Sequence, residues 1–209
     1  MNELKTHKKA IAYFMRRLYK QGLTTTSGGN ISVRAGDYIL VTPSQTDKGR
    51  MKAREIGILD MNGINQNPEL KLSMETGMHL AVYAARPDVM AIVHAHPPTA
   101  TAFAVAQKKI DTTLMGESWA ILGDIALAPY ALMGTPQLAQ QVAEAAKNSE
   151  VVMMVNHGIL AVGKSLLEAF DRIEVLENCA KVNLIVKNLG AINPLSKLQL
   201  EAIDKLMNR

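Results

Sequence analysis

The sequence is short of several things at once, and each shortage excludes something. One cysteine, Cys179, stands in 209 residues, so no disulfide can form within the chain; a reducing, cytoplasmic setting is expected. Phe, Trp and Tyr number only three, one and five. That is thin for a base-stacking surface, and the basic residues are scattered, so no nucleic-acid partner is expected. No apolar run approaches the roughly 18 residues that span a bilayer. Between Met1 and Leu23, Lys8, Lys9, Arg16, Arg17 and Lys20 interrupt every apolar stretch, so neither a signal-peptide core nor a membrane partner is expected. The formal net charge is only +4 and points to no polyanionic partner. No repeat, low-complexity stretch or flexible linker divides residues 1–209, which predicts one domain.

What is present is ordinary globular material, 48% apolar and 20% charged, with twelve Met residues that suit gap-filling in a core. Apolar residues at Ile11, Phe14, Met15 and Leu18 predict a helix over Leu4 to Gln21, stopped by Gly22. Thr24 to Asn30 is a polar, Gly-rich loop. Ile31 to Val33 and Tyr38 to Thr42 form a hairpin, and Ile56 to Asp60 a further strand. Ser73 is placed to cap a helix that runs from Met74 and stops at Arg86-Pro87. Strands follow at Met90 to His96, Ile125 to Ala128, Val151 to Val155 and Ile159 to Val162. Helices are expected at Thr99 to Ala106, Gln137 to Lys147 (capped by Thr135), Ser165 to Lys187 and Ser196 to Met207. Strict βαβ alternation is absent. The fold class is therefore α/β, a central mostly antiparallel or mixed sheet covered by helices. Gly28-Gly29 matches neither a dinucleotide fingerprint nor a P-loop.

The chemistry concentrates in histidines. His94 and His96 lie two residues apart on one strand and so face the same side at its end. Two imidazoles there can converge on one metal ion; two half-buried histidines bonded to carbonyls fit the same pattern. Asn156-His157-Gly158 interrupts two apolar strands and puts a third His at a sheet end. Asn and Gly suit a plain hairpin turn, but His does not. Three His form a set suited to Zn²⁺ with a position left open. Glu75 opens the helix before the His94 strand. It either complements the helix dipole or serves as a metal-side acid/base. His79, four residues on, shares that helix face and either packs there or orients Glu75.

With these residues in view, the chain resembles the class II (zinc-dependent) aldolase/adducin family typified by L-fuculose-1-phosphate aldolase, which also holds ribulose-phosphate 4-epimerases and adducin head domains. The resemblance rests on ordered motifs along nearly the whole chain, at residues 26–34, 41–44, 75–79, 86–96, 128–135 and 156–163. It implies that His94, His96 and His157 bind Zn²⁺, with Mn²⁺ or Co²⁺ as possible occupants. It implies that Glu75 is the acid/base, a position where the epimerases carry Asp. Gly28, Gly29 and Asn30 match a loop that cradles substrate phosphate, and Thr42, Ser44 and Ser73 match further phosphate-side positions. The family forms fourfold rings with sites at subunit interfaces, which implies a homotetramer.

The implied activity is reversible cleavage of a ketose 1-phosphate to dihydroxyacetone phosphate and an aldehyde through a metal-stabilised enediolate. Epimerase, dehydratase or decarboxylase chemistry at the same site is the alternative. A non-catalytic adducin-like scaffold would be marked by loss of the histidines, which are all present. The chain departs from the family pattern at Met74, where a second Ser is usual, and at Gln45, where Gly is usual. A family Tyr aligns near Met115, and the C-terminal Tyr is missing. Glu117, close to Met115, is the candidate for chemistry on the aldehyde side; a surface loop is the other reading of that residue.

Overall fold

A computed structural model describes residues 2–208. Its centre is a seven-stranded sheet built from β1 (Asn30–Ala35), β2 (Tyr38–Val41), β3 (Gly57–Asp60), β4 (Ala91–Ala95), β5 (Ala126–Ala128), β6 (Val151–Met154) and β7 (Gly158–Gly163). The spatial order is β3-β2-β1-β4-β7-β6-β5. Every neighbouring pair is antiparallel except β5 and β6, which run parallel, so the sheet is mixed.

Helices cover both faces, and the alternation of side chains along the strands decides which residue meets which layer. On one face Ile31, Val33, Val93, Ala95, Met153 and Ala161 pack into a cluster with α1 (Asn2–Lys20), α3 (Pro98–Val105), α4 (Gly116–Leu122) and α6 (Leu166–Leu189). On the other, Ile39, Val41, Ile92, Val152, Leu160 and Val162 meet α2 (Thr76–Ala85) and α5 (Pro136–Ala145). The last helix, α7 (Lys197–Leu206), packs on α4. No helix among the described residues is long and apolar enough to cross a membrane.

Local signals account for most boundaries. Thr135 accepts from Leu138 N–H ahead of Pro136 and caps α5, Ser165 caps α6 by accepting from Glu168 N–H, and Ser196 with Gln199 forms a capping box on α7. Gly190 ends α6 at φ +78, where a side chain would strain the backbone. Two expectations need correction. Ser73 does not start a helix: α2 begins at Thr76, and Ser73 makes the preceding turn, its carbonyl accepting from Thr76 N–H at 3.1 Å. Glu75 takes the cap position without using its carboxylate as a cap. Residues 116–122, given no element from the sequence beyond a surface-loop reading of Glu117, form α4; burial of Ser118 and Leu122 overrides the helix-weakening Gly116.

Phe170 anchors α6 to α1. It is fully buried, with its ring 4.9 Å from that of Phe14 and the Arg17 guanidinium 4.6 Å above it. Phe170→Ala should cost about 3–5 kcal/mol through lost burial and the cavity left behind. A denaturant midpoint within error of the parent would show that α6 is held by other contacts.

Candidate metal centre and active site

Two rows of polar side chains meet between the sheet and α2. Asn30 and Ser32 are two residues apart on β1 and project from one face. Glu75, His79 and Tyr83 recur every fourth residue and share one side of the helix. All five are buried. Their hydrogen bonds form a single chain. Asn30 Nδ2 donates to Glu75 Oε2 at 2.8 Å. Asn30 Oδ1 is then the acceptor for His79 Nε2–H. His79 Nδ1 carries no proton and accepts from Ser32 Oγ at 2.6 Å, while Ser32 Oγ accepts from the Tyr83 hydroxyl at 2.9 Å. One amide orientation and one tautomer satisfy every member. Burial, reinforced by His94, pushes His79 down to about 3, so the ring stays neutral. His79 thus bears on Glu75 through Asn30, not by direct contact.

The carboxylate end of this chain lies against the histidines. His94 sits on β4 opposite Asn30 in the ladder with β1 and opposite Leu160 in the ladder with β7. His96 follows the last residue of β4, its N–H held by Leu23 carbonyl at 2.9 Å. His157 sits on the β6–β7 turn, which Asn156 makes at φ +53. Ring centroids are 4.7 Å apart for His94 and His96 and 5.0 Å apart for His94 and His157. One ligand atom from each ring lies within 4.8 Å of the other two. Glu75 Oε1 is 2.9 Å from His157 Nε2, and Oε2 is 3.3 Å from His94 Nε2.

The donor set fits a divalent metal. His94 Nδ1–H donates to Ile159 carbonyl at 2.8 Å, so the neutral ring, the ligating form, turns its Nε2 lone pair towards Glu75. Among buried polar atoms, His94 Nε2 and Glu75 Oε1 are without a hydrogen-bond partner. Electron pairs pressed together out of water repel unless a cation stands with them. Burial acts to raise the Glu75 carboxyl, but the His94 and His157 imidazoles outweigh it and hold it far below the usual carboxylate range. The reciprocal holds at His94: burial opposes the charged ring, and the Glu75 carboxylate more than restores it. Burial, with His94 and His157 nearby, pushes His96 down to about 3, which keeps a ligating lone pair free.

A cavity of about 460 Å³ opens beside the cluster. It is lined by Gly28, Gly29, Asn30, Ser44 and Ser73 together with Glu75, His96 and His157. His94 lies behind them, fully buried. Two residues singled out from the sequence are not brought there. Thr42 is fully buried, and its Oγ1 accepts from Ile31 N–H at 3.1 Å, so it ties β2 to β1. Glu117 is exposed in the first turn of α4 and does not line the cavity; a carboxylate there suits the positive end of the helix. Sequence reasoning had His79 either packing or orienting Glu75, but it missed the link through Asn30 and the continuation to Ser32 and Tyr83, although the every-fourth and every-second spacings were readable. It also missed Lys48, which lines the cavity and which no pattern marks.

The family described as Class II Aldolase and Adducin N-terminal domain matches residues 9–184. The chain belongs to the class II aldolase and adducin family. It is 36% identical over 174 residues to an L-fuculose phosphate aldolase of Methanococcus maripaludis, covering 82% of this chain and 93% of that protein. It is 33% identical to a 3-oxo-tetronate 4-phosphate decarboxylase of Haemophilus influenzae, covering 84% of this chain and 85% of that one. A solved L-fuculose 1-phosphate aldolase structure superposes with a TM-score of 0.88 at 33% identity, covering 97% of this chain and 96% of the other. The aldolase side of the family, not a residue-depleted scaffold, is where a chain with this full set of histidines and acid belongs, and it is an enzyme of that class.

Space at the cluster is controlled by Gly158. A Cβ there would stand 2.5 Å from His96 Cδ2, 2.8 Å from Ala95 carbonyl and 3.2 Å from His94 Cε1. Gly158→Ala must therefore displace two imidazoles. Metal affinity should fall about 10- to 100-fold, as for other losses of ligand positioning, with the circular dichroism spectrum unchanged. Metal content after dialysis is the readout; stoichiometric retention at parental affinity would show that the rings absorb the methyl group.

Proposed function

We propose that the protein is a zinc-dependent aldolase that reversibly cleaves a ketose 1-phosphate, such as L-fuculose 1-phosphate, to dihydroxyacetone phosphate and an aldehyde. The observation that carries this reading is the buried, ionised Glu75, 2.9 Å and 3.3 Å from two of the three clustered imidazoles. The similarity to L-fuculose phosphate aldolases supports it. His94, His96 and His157 are the metal ligands in this reading, and three neutral imidazoles suit Zn²⁺, with Mn²⁺ and Co²⁺ compatible. A divalent cation held there supplies Lewis-acid charge for the substrate's carbonyl and for the negative charge that develops as the carbon–carbon bond breaks.

The remaining work belongs to this chain's side chains. In the synthetic direction the Glu75 carboxylate takes a proton from the hydroxymethyl carbon of dihydroxyacetone phosphate; in cleavage it returns a proton to that carbon. Asn30 holds Oε2 of that carboxylate, so the base is aimed before substrate arrives. Gly28, Gly29, Ser44 and Ser73 form the phosphate side of the cavity in this reading, while Thr42 supports them through the β1–β2 ladder. Met74, Tyr130 and Met133 line the mouth of the cavity while 63%, 57% and 56% exposed. An apolar rim of that kind supports a homotetramer of single-domain subunits with sites at the interfaces.

The relationship to a 3-oxo-tetronate 4-phosphate decarboxylase, together with Met74 at a position where the aldolases carry Ser, favours decarboxylation of a sugar-acid phosphate as the second reading. Proton exchange separates the two. Zinc-loaded protein should wash deuterium from D₂O into dihydroxyacetone phosphate, followed by NMR, and a chelated control should not. Glu75→Gln should keep its metal and slow the exchange about 10²- to 10⁴-fold. No exchange into dihydroxyacetone phosphate, with release of CO₂ from a 3-oxo sugar-acid phosphate, would replace the aldolase reading by the decarboxylase one.

A further inference from the structure

Between β2 and β3 the chain folds into a short turn at Lys48–Arg50. Asp47 caps it, its side chain accepting from Gly49 N–H at 2.9 Å. Lys48 N–H donates to Thr26 carbonyl at 2.9 Å, which draws this turn against the loop that precedes β1. The consequence is unusual for a lysine in a polar loop. Asp47 and Arg50 on either side are exposed, while Lys48 is 1% exposed.

A buried ammonium needs either a carboxylate or a full set of acceptors. Lys48 has neither. Its Nζ donates to Pro43 carbonyl at 2.7 Å, the one acceptor among the described residues for three N–H bonds. Among the described residues no carboxylate forms an ion pair with it; burial alone brings it down to about 8, with no acid acting to restore it. Both Lys48 and Pro43 line the cavity that holds Glu75, His96 and His157. Of the residues around that cavity, Lys48 is the one lysine or arginine and Glu75 the one acid. Ser44, Ser73 and the Gly28-Gly29 turn line it as well, and they carry hydroxyl and amide donors.

We propose that Lys48 is the substrate-binding cation of this site: it receives a terminal phosphate monoester and makes the cavity select phosphorylated over uncharged substrates. A dianion satisfies the spare ammonium protons and removes the cost of burying the charge, which a neutral hydroxyl cannot do. Phosphate fits better than carboxylate because the donors come from several segments, the 43–48 turn, Ser73 and the glycine turn, as a tetrahedral anion requires and a planar one does not. This assignment rests on the sugar-phosphate reading above, and its test reads anion binding separately from catalysis.

Zinc-loaded protein is titrated with inorganic phosphate, followed by ³¹P NMR, and with acetate as the carboxylate control. Lys48→Met, of similar length without the charge, should weaken phosphate about 10- to 100-fold, the loss of a charge-assisted hydrogen bond. Lys48→Arg should recover part of that loss. The ratio of kcat/KM for proton exchange with dihydroxyacetone phosphate to that with dihydroxyacetone should fall at least about tenfold in Lys48→Met. Melting temperature supplies the control for a purely structural role. If Lys48 only ties down Pro43, then Lys48→Met melts earlier and binds phosphate as the parent does, which overturns the proposal. Equal binding of acetate and phosphate by the parent, or no binding of phosphate, also overturns it. Should Lys48→Met fail to fold, Lys48→Gln is read in its place by the same criteria. Phosphate binding that depends on Lys48 without any proton exchange would sustain this assignment and remove the aldolase reading alone.

Discussion

A carboxylate buried against imidazoles is the constraint on which the rest of the structure turns. Glu75 is almost out of water, and its oxygens stand at 2.9 Å and 3.3 Å from two ring nitrogens. Were it a surface residue, such contacts would be worth little. Buried, it must be ionised with positive charge beside it or protonated without, and the facing histidines favour the first. His94 Nδ1–H is spent on the Ile159 carbonyl, so a neutral His94 turns its Nε2 lone pair to the carboxylate, and only the protonated ring can donate to it. A proton on His94 or a divalent cation beside it meets that conflict, and the clustering of three imidazoles favours the cation. The site is therefore built to be completed by an ion, and the polar chain from Tyr83 to Asn30 holds the acid in place for it.

The sheet makes that arrangement reproducible. Asn30 and His94 are cross-strand partners, so the group that orients Glu75 and a ring that faces it are fixed by one ladder. A one-residue slip of β1 would turn both Asn30 and Ser32 into the opposite core, against α1 and α6. The apolar residues that alternate with them, Ile31 and Val33, forbid that slip by having their own layer to fill. Packing thus enforces the register, and the register delivers the chemistry.

How much of this was legible in the sequence follows from the range of the interactions. The helix caps at Thr135, Ser165 and Ser196 act within three residues of themselves, and their helices began where expected. The strand carrying His94 showed as an apolar run ending at Pro97-Pro98, and the turn carrying His157 as a polar break between two apolar runs. Their convergence was inferable only because both lie at strand ends. Ser73 misled because a serine ahead of a helix is a cap signal, yet here the turn closes through its carbonyl, and α2 begins three residues later. Thr42 misled because matching a motif position says nothing about which way a side chain turns; its hydroxyl serves a backbone N–H of β1 instead of the cavity. Glu117 misled because a carboxylate among apolar residues also marks a helix start. Lys48 left no trace at all, since its burial depends on a contact with Thr26, whose place beside it only the folded chain determines.

Lys48 and Glu75 together explain why the cavity is shaped as it is. Two buried groups of opposite charge line one space, and their simplest resolution would be an ion pair with each other. Among the described residues they form none. Glu75 is committed to His94, His157 and Asn30; Lys48 is committed to Pro43 and anchored by its own backbone to Thr26. The fold thus holds the two charges apart against their attraction. In the reading proposed above, a substrate brings an anion to Lys48 at one end and an acidic C–H to the Glu75 carboxylate at the other. An uncharged sugar brings only one, and a simple anion only the other. Selectivity of this kind needs no close fit at the mouth of the cavity, where Met74 and Met133 are adaptable side chains. In that reading the two charges set the two ends of the substrate, and the methionine rim leaves the part beyond them free to vary.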